Sequence, residues 1–199
     1  MRSQEPIGAG SLSRSLASET GFASWYGYPY HGRQSASGEI YDMETLTAAH
    51  RTLPFQTIVR VLNLENDKRV DVRITDRGPF VDGRIIDLSH AAANVIGLIG
   101  PGTARVRVDV LRMSDDASLG AAFFAVQVGA FRDRDNAERF RARMAARYGS
   151  ARVVQHEGNP TLWRVLVGQE TSETDARTLS EKIRRDYGEK NAFVVRLDS

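Results

Sequence analysis

The chain has 199 residues, 41% of them hydrophobic and 26% charged, with a formal net charge of +2, which leaves room for one large or two small globular domains. The 27 basic and 25 acidic side chains are spread over both halves, so no basic surface of the kind nucleic acid demands is present. With no cysteine, a disulfide framework, a thiolate nucleophile and a thiolate zinc site are all excluded. His31, His50, His90 and His156 show no paired ligand spacing, and neither a metal nor a cofactor is expected.

Residues 1–20 are rich in Ser, Gly and Ala and hold no apolar run long enough for a secretory segment or a membrane span, which predicts a flexible lead-in. Taken alone this start reads as cytoplasmic, although a chain whose export signal had been removed would look the same.

From Gly21 onward, short β-prone runs are separated by glycine and proline: FASWYG, TIVRVLNL, RVDVRIT and TARVRVDVL. Val70, Val72 and Ile74 alternate with Arg69, Asp71 and Arg73, the pattern of a strand with one buried face. Residues 64–68 form a hairpin turn, and Ser89 caps a short helix over HAAANVIG that ends near Gly97. Many short strands with one helix over residues 21–113 predict a small β-barrel.

Two acids stand out in this stretch. Glu39 follows Gly38 in SASGEIYDM, and Asp76 ends the alternating run VRITDRGPF. A carboxylate at a strand end beside glycine is well placed to face a cleft, and two such acids suggest chemistry on a glycosidic bond. Ordinary turn chemistry explains either one equally well.

Residues 114–121 lose the alternation and read as a linker. Residues 122–199 then nearly repeat themselves at an offset of 39. Val128-Gly129, Ala137, Phe140, Met144 and Tyr148-Gly149 are matched by Val167-Gly168, Ala176, Leu179, Ile183 and Tyr187-Gly188. Each copy reads as a strand and a helix followed by a closing strand, with cap-like starts at 135–138 and 172–175. The result is a ferredoxin-like β-α-β-β-α-β domain. Ala125, Gln127 and Gly129 would face away from the helices across an open sheet face, with Val126 and Val128 beneath the helices. Trp163 is either an exposed aromatic on that face or part of the core.

Residues 21–113, through ASWYG, HGRQSASGEIYDM, LTAAHRTLPF, VRITDRGPF and GRIIDLS, resemble the six-stranded double-psi β-barrel domain of the rare lipoprotein A family. Residues 122–199, through FAVQVGAF, Asn136-Ala137, WRVLVG and FVVRL, resemble a SPOR domain. Together the resemblances imply a septal, periplasmic lytic transglycosylase that cuts glycan between N-acetylmuramic acid and N-acetylglucosamine, with anhydro ring closure in place of hydrolysis. They imply Asp76 as acid and base and Glu39 as its partner carboxylate, either raising the Asp76 pKa by like-charge repulsion or holding the sugar by hydrogen bonds, with the two roles open to exchange, and His50 bonding to either acid. Trp25 and Tyr26 would stack a sugar, Tyr41 would donate a hydrogen bond and Arg77 would steer substrate carboxylates.

The SPOR resemblance implies glycan strands without stem peptides as the partner, with Gln127, Phe131, Asn136, Trp163 and Arg164 as glycan-binding candidates. Division-site proteins are further implied partners, and a membrane enters only through a lipid anchor on a precursor cysteine. Thr75 stands where family members commonly carry Asn, and this sequence has no cysteine to acylate. The alternative is a non-catalytic glycan binder of the expansin kind or a septal scaffold.

Overall fold

The computed structural model describes residues 17–114, 122–156, 160–188 and 191–197. The expected lead-in up to residue 16 and most of the expected linker, residues 115–121, lie outside the described residues.

The first domain comprises β1 (Ser18–Tyr26), β2 (Thr47–His50), β3 (Ile58–Asn63), β4 (Arg69–Asp76), β5 (Arg84–Ser89), the short helix α1 (His90–Val95) and β6 (Ala104–Arg112). These close into a six-stranded barrel in the order β1-β5-β2-β4-β3-β6. The β1·β5 and β2·β4 pairs are parallel and the others antiparallel. Alternation in β3, β4 and β6 sends Val59, Val61, Val70, Val72, Val106 and Val108 into the interior, where α1 and its exit contribute Ala92, Ala93, Ile96 and Leu98.

β1 starts three residues before Gly21, because Ser18, Glu19 and Thr20 pair with Asp109, Val108 and Arg107 of β6. β2 carries no alternation: all four of its residues are buried, since the strand lies between β4 and β5. The expected hairpin is present at residues 64–68, with Asp67 at φ 58° and its N–H bonded to the Asn63 carbonyl at 2.9 Å.

The second domain runs β7 (Phe123–Phe131), α2 (Arg134–Tyr148), β8 (Ala151–His156), β9 (Leu162–Glu170), α3 (Glu173–Tyr187) and β10 (Phe193–Leu197), with an antiparallel sheet in the order β10-β7-β9-β8. Asp133 caps α2, two residues before the expected start, by accepting from the Asn136 N–H. Ser172 caps α3 from the expected position. Val126, Val128, Val165 and Val167 meet Ala137, Met144 and Ile183 under the helices. Gly129 and Gly168 occupy equivalent positions in the repeat; an added Cβ would lie 3.5 Å from Phe140 in one and 2.7 Å from Leu179 in the other.

The sheet face turned away from the helices is not open. Phe80 of the barrel packs on Ala125, Leu166 and Val195, its ring 6.4 Å from Phe193, and the Arg196 N–H donates to the Arg51 carbonyl at 3.0 Å.

Ser89 gives a test of the barrel's assembly. Its buried hydroxyl accepts from the Ala92 N–H at 3.2 Å and donates to the Thr45 carbonyl at 2.6 Å, joining α1 to the loop before β2. Ser89→Ala is expected to cost about 1–3 kcal/mol, combining a lost cap with an unmade buried hydrogen bond. Denaturant unfolding followed by Trp25 fluorescence measures it.

Candidate active site

One row of side chains runs across four neighbouring strands. Ser24 on β1 is opposite Asp87 on β5, Asp87 is opposite Ala49 on β2, and Ala49 is opposite Asp76 on β4. Neighbouring strands lie about 4.8 Å apart, so the Cα atoms of the two aspartates stand about 10 Å apart with only an alanine methyl between them. The small residue leaves a gap, and the gap opens into a cleft of ≈ 340 Å³ lined by these four residues together with Trp25, Tyr26, Arg84 and Phe80.

Bulges aim the row. The β2·β4 ladder pairs Ala48 with Ile74 and then Ala49 with Asp76, so Thr75 is skipped. Strict alternation after Val70, Val72 and Ile74 would turn Asp76 into the barrel core; the extra residue turns it to the cleft wall instead. A second bulge, between Phe22 and Ala23, adjusts β1 against β5.

Asp76 accepts the Ala36 N–H at 3.0 Å and the Arg77 N–H at 2.8 Å, both on Oδ1. Its Oδ2 makes no hydrogen bond to the described residues. Burial raises its pKa above the ordinary 3.8, and the two N–H bonds and the Arg164 and Arg77 charges only partly oppose this. Asp87 differs: Arg84 holds both of its oxygens at 2.7 Å and Ser24 donates at 2.5 Å. Between them Tyr26 carries a buried hydroxyl with no hydrogen-bond partner among the described residues, and burial with the charges of Asp76 and Asp87 pushes its pKa far up. It is a donor at every physiological pH.

The comparisons with known proteins agree with this geometry. Residues 18–108 match the family model described as lytic transglycolase, and residues 120–196 match the SPOR domain. Endolytic peptidoglycan transglycosylase RlpA of Vibrio cholerae is 37% identical over 182 residues, covering 88% of this chain and 68% of that protein. The protein of the same name in Campylobacter jejuni is 38% identical over 199 residues, covering 88% and 71%. The chain belongs to the RlpA family. Among solved structures, the Streptomyces papain inhibitor superposes with a TM-score of 0.41 at 21% identity, over 50% of this chain and 98% of that one. Apo expansin of Clavibacter michiganensis gives 0.39 at 17%, over 58% and 59%. Scores of this size carry no functional argument.

Within the RlpA barrel, Asp76 lines the cleft together with Trp25, Tyr26, Tyr41 and Arg77, whereas Glu39 and His50 are placed elsewhere. Glu39 does not line the cleft. Arg73 grips its two oxygens at 2.7 and 2.9 Å and Gln56 donates at 2.7 Å, which holds its pKa below the ordinary value. The shift on Asp76 therefore comes from burial rather than from repulsion by Glu39. His50 is only 5% exposed and bonds to neither acid: Nδ1 accepts from the Thr52 and Leu53 N–H groups, and Nε2 meets Glu19 at 3.3 Å.

The tyrosines also correct the expectation. The ring face of Tyr26 is stacked on Tyr41 at 4.4 Å, which occupies one of the faces a sugar would need. Tyr41 donates to the Tyr26 carbonyl at 2.7 Å and is structural. Trp25 lines the cleft with its ring edge-on to His90. Arg77 lies 3.8 Å over Phe55 and donates to the His50 and Leu53 carbonyls, which spends part of its fork on the turn at 51–53.

In the second domain Gln127 and Arg164 lie on the face turned to the barrel, whereas Trp163 packs beneath the helices beside Val165 and Val167. Neighbours along a strand face opposite ways, so Trp163 and Arg164 cannot share a face. Phe131 is also on the helix side: a bulge between Gln127 and Gly129 inverts the alternation, and its ring meets Phe140 at 5.4 Å. Asn136 is in the first turn of α2, where its Oδ1 accepts from Arg139 at 2.6 Å. Ser24, Arg33, Arg84 and His156 line the cleft without being expected there, and so does Asp87, whose place in GRIIDLS matches the family but for which a strand-capping or turn role is an adequate reading of the sequence. His156 is neutral, its pKa pushed down to about 4 by burial and then by Arg164. Among the described residues no cluster of His, Asp and Glu could hold a metal ion.

The raised pKa of Asp76 has a sign that stability measurements can read. The folded protein binds this proton more tightly than the unfolded chain does, so the group opposes folding once the pH has risen through its raised value. Asp76→Asn keeps an oxygen for the Ala36 and Arg77 N–H groups and removes the buried charge. The variant is expected to melt at or above the wild-type temperature at pH 7, with the gain shrinking as the pH falls toward 3.8. Calorimetry over that range checks it.

Proposed function

We propose that this chain is an endolytic lytic transglycosylase that cuts the β-1,4 bond between N-acetylmuramic acid and N-acetylglucosamine in peptidoglycan. Its substrate is glycan whose stem peptides have been removed, met in the periplasm at the division septum. Recruitment of division-site proteins and an outer-membrane anchor on an acylated precursor cysteine belong to the same reading. The observation that carries it is Asp76: a carboxyl group whose pKa burial raises, set in the wall of a cleft with one oxygen fixed by backbone donors and the other without a hydrogen bond among the described residues.

The reaction asks one group to act twice. Protonated Asp76 donates through Oδ2 to the glycosidic oxygen as the C1–O4 bond breaks, and positive charge builds on the muramoyl ring. The carboxylate it becomes then takes the proton from the C6 hydroxyl as O6 bonds to C1. Asp76 ends protonated, and no water is consumed. Asp87, paired with Arg84, lies on the opposite side of the gap over Ala49, where its carboxylate faces the developing cation.

Glu39 and His50 act as positioning residues. Glu39, through Arg73 and Gln56, fixes the loop that presents the Ala36 N–H to Asp76. His50 fixes the turn whose carbonyls hold Arg77. The pair of supports explains how residues outside the cleft can matter to it.

Peptide-free glycan incubated with the protein should yield ends of the 1,6-anhydromuramoyl type by mass spectrometry. Asp76→Asn should lower their formation at least about a hundredfold. Ends that are ordinary reducing sugars would make the enzyme a hydrolase, and no ends at high enzyme load would make it a glycan binder. Glu39→Gln and Arg73→Gln should each lower kcat about tenfold or more. Their double variant should be no worse than either alone, because both break one clamp.

A further inference from the structure

The cleft around Asp76 is not built by the barrel alone. Two of its lining residues, His156 at the end of β8 and Arg164 on β9, belong to the second domain. Arg164 lies over the Phe80 ring at 4.4 Å, which fixes the plane of its guanidinium against the barrel wall. No carboxylate among the described residues is within ion-pairing distance of it, and its electrostatic partner, Asp76, acts through space. Burial lowers its pKa to about 10, so it stays cationic at neutral pH. Burial outweighs the Arg164 charge at Asp76, so the two groups interact through space without forming an ion pair. A planar fork of donors, half-buried and with no carboxylate bonded to it among the described residues, lines the space where substrate would lie.

The same arginine lines a second concavity of ≈ 330 Å³ on the sheet face, which shares Arg77 and Phe80 with the cleft. Among the described residues four arginines line it, Arg77, Arg152, Arg164 and Arg196. Gln127 in its wall is 4% exposed, and its Oε1 has no hydrogen-bond partner among the described residues. An unsatisfied buried acceptor fits a ligand bearing N–H or O–H donors.

We propose that Arg164, supplied by the second domain, is a specificity-determining residue of the active-site cleft, where it binds a carboxylate of the substrate strand beside the bond cut by Asp76. The inference rests on the transglycosylase reading above. The carboxylate is chemically defined: removal of a stem peptide converts the lactyl amide of a muramoyl residue into a free acid, whereas an intact stem leaves a bulky amide there. Barrel and sheet then form one path for the strand, passing from Asp76 over Phe80 to Gln127, and discrimination occurs where the bond is cut.

The test compares two glycans in the full chain: peptide-free strands with free lactyl carboxylates, and the same strands with those groups converted to methylamides. The wild type is expected to favour the free acid in kcat/KM by about tenfold or more, in keeping with a charge-assisted bidentate pair. In Arg164→Gln the ratio should fall to near one; in Arg164→Lys, which keeps the charge and loses the fork, it should be intermediate. A ratio unchanged in both variants overturns the proposal, as does faster cleavage of both glycans by Arg164→Gln, which would make the arginine an obstruction. If Arg164→Gln does not fold, the ratio in Arg164→Lys decides. Binding of the two glycans by calorimetry, in Asp76→Asn with and without the Arg164 substitution, gives the same ratio without turnover. A wild type that forms no anhydro ends but shows that binding ratio rejects the transglycosylase reading and keeps the carboxylate site.

Discussion

A carboxyl group is useful as a proton donor at neutral pH only if something disfavours its charge without consuming its oxygens. At Asp76 the two requirements are divided between its atoms. Burial acts on the whole group, while the Ala36 and Arg77 N–H groups both bond to Oδ1 and leave Oδ2 free. The surrounding arrangement follows from holding that geometry: a bulge that turns the residue out of the core, a loop that must stay close enough to donate, and an alanine opposite that keeps the space clear.

The supports lie outside the cleft because space inside it is scarce. Glu39 and Arg73 form a paired clamp on the outer surface of the loop, and His50 is buried beneath the turn that receives Arg77. Both are polar groups whose bonds are satisfied by the protein itself, which rigidifies backbone at small cost. Asp87 and Arg84 bring the same principle into the cleft wall, where a carboxylate with both oxygens bonded stands two strands from one that has an oxygen unbonded among the described residues.

Much of the fold was legible. The alternation in Val70, Val72 and Ile74 marked a strand, Ser89 marked a helix start, and the offset of 39 marked a duplicated unit. Thr47–His50 was not legible, because a short strand buried on both sides has no period to display. In the site, Asp76 could be read from its place at a strand end, but the identity of its neighbours depended on register. Asp87 faces it only because two ladders meet at Ala49, and no local pattern encodes that. Phe131 was misplaced for a related reason. It shares the parity of Gln127 in the sequence, yet the bulge before Gly129 inverts it; a glycine within an otherwise regular strand was the available warning. Trp163 and Arg164, as adjacent strand residues, needed only the two-residue period to be separated.

Gly129 and Gly168 hold equivalent places in the repeat, yet each is small for a different reason. A methyl group on Gly168 would come 2.7 Å from Leu179, where α3 comes down on the sheet, whereas on Gly129 it would meet the Phe131 ring of its own strand at 2.7 Å and leave Phe140 of α2 at an ordinary contact distance of 3.5 Å. The duplication kept the residue and reassigned its neighbour: one twin makes room for a helix, the other for a ring that the bulge turned inward.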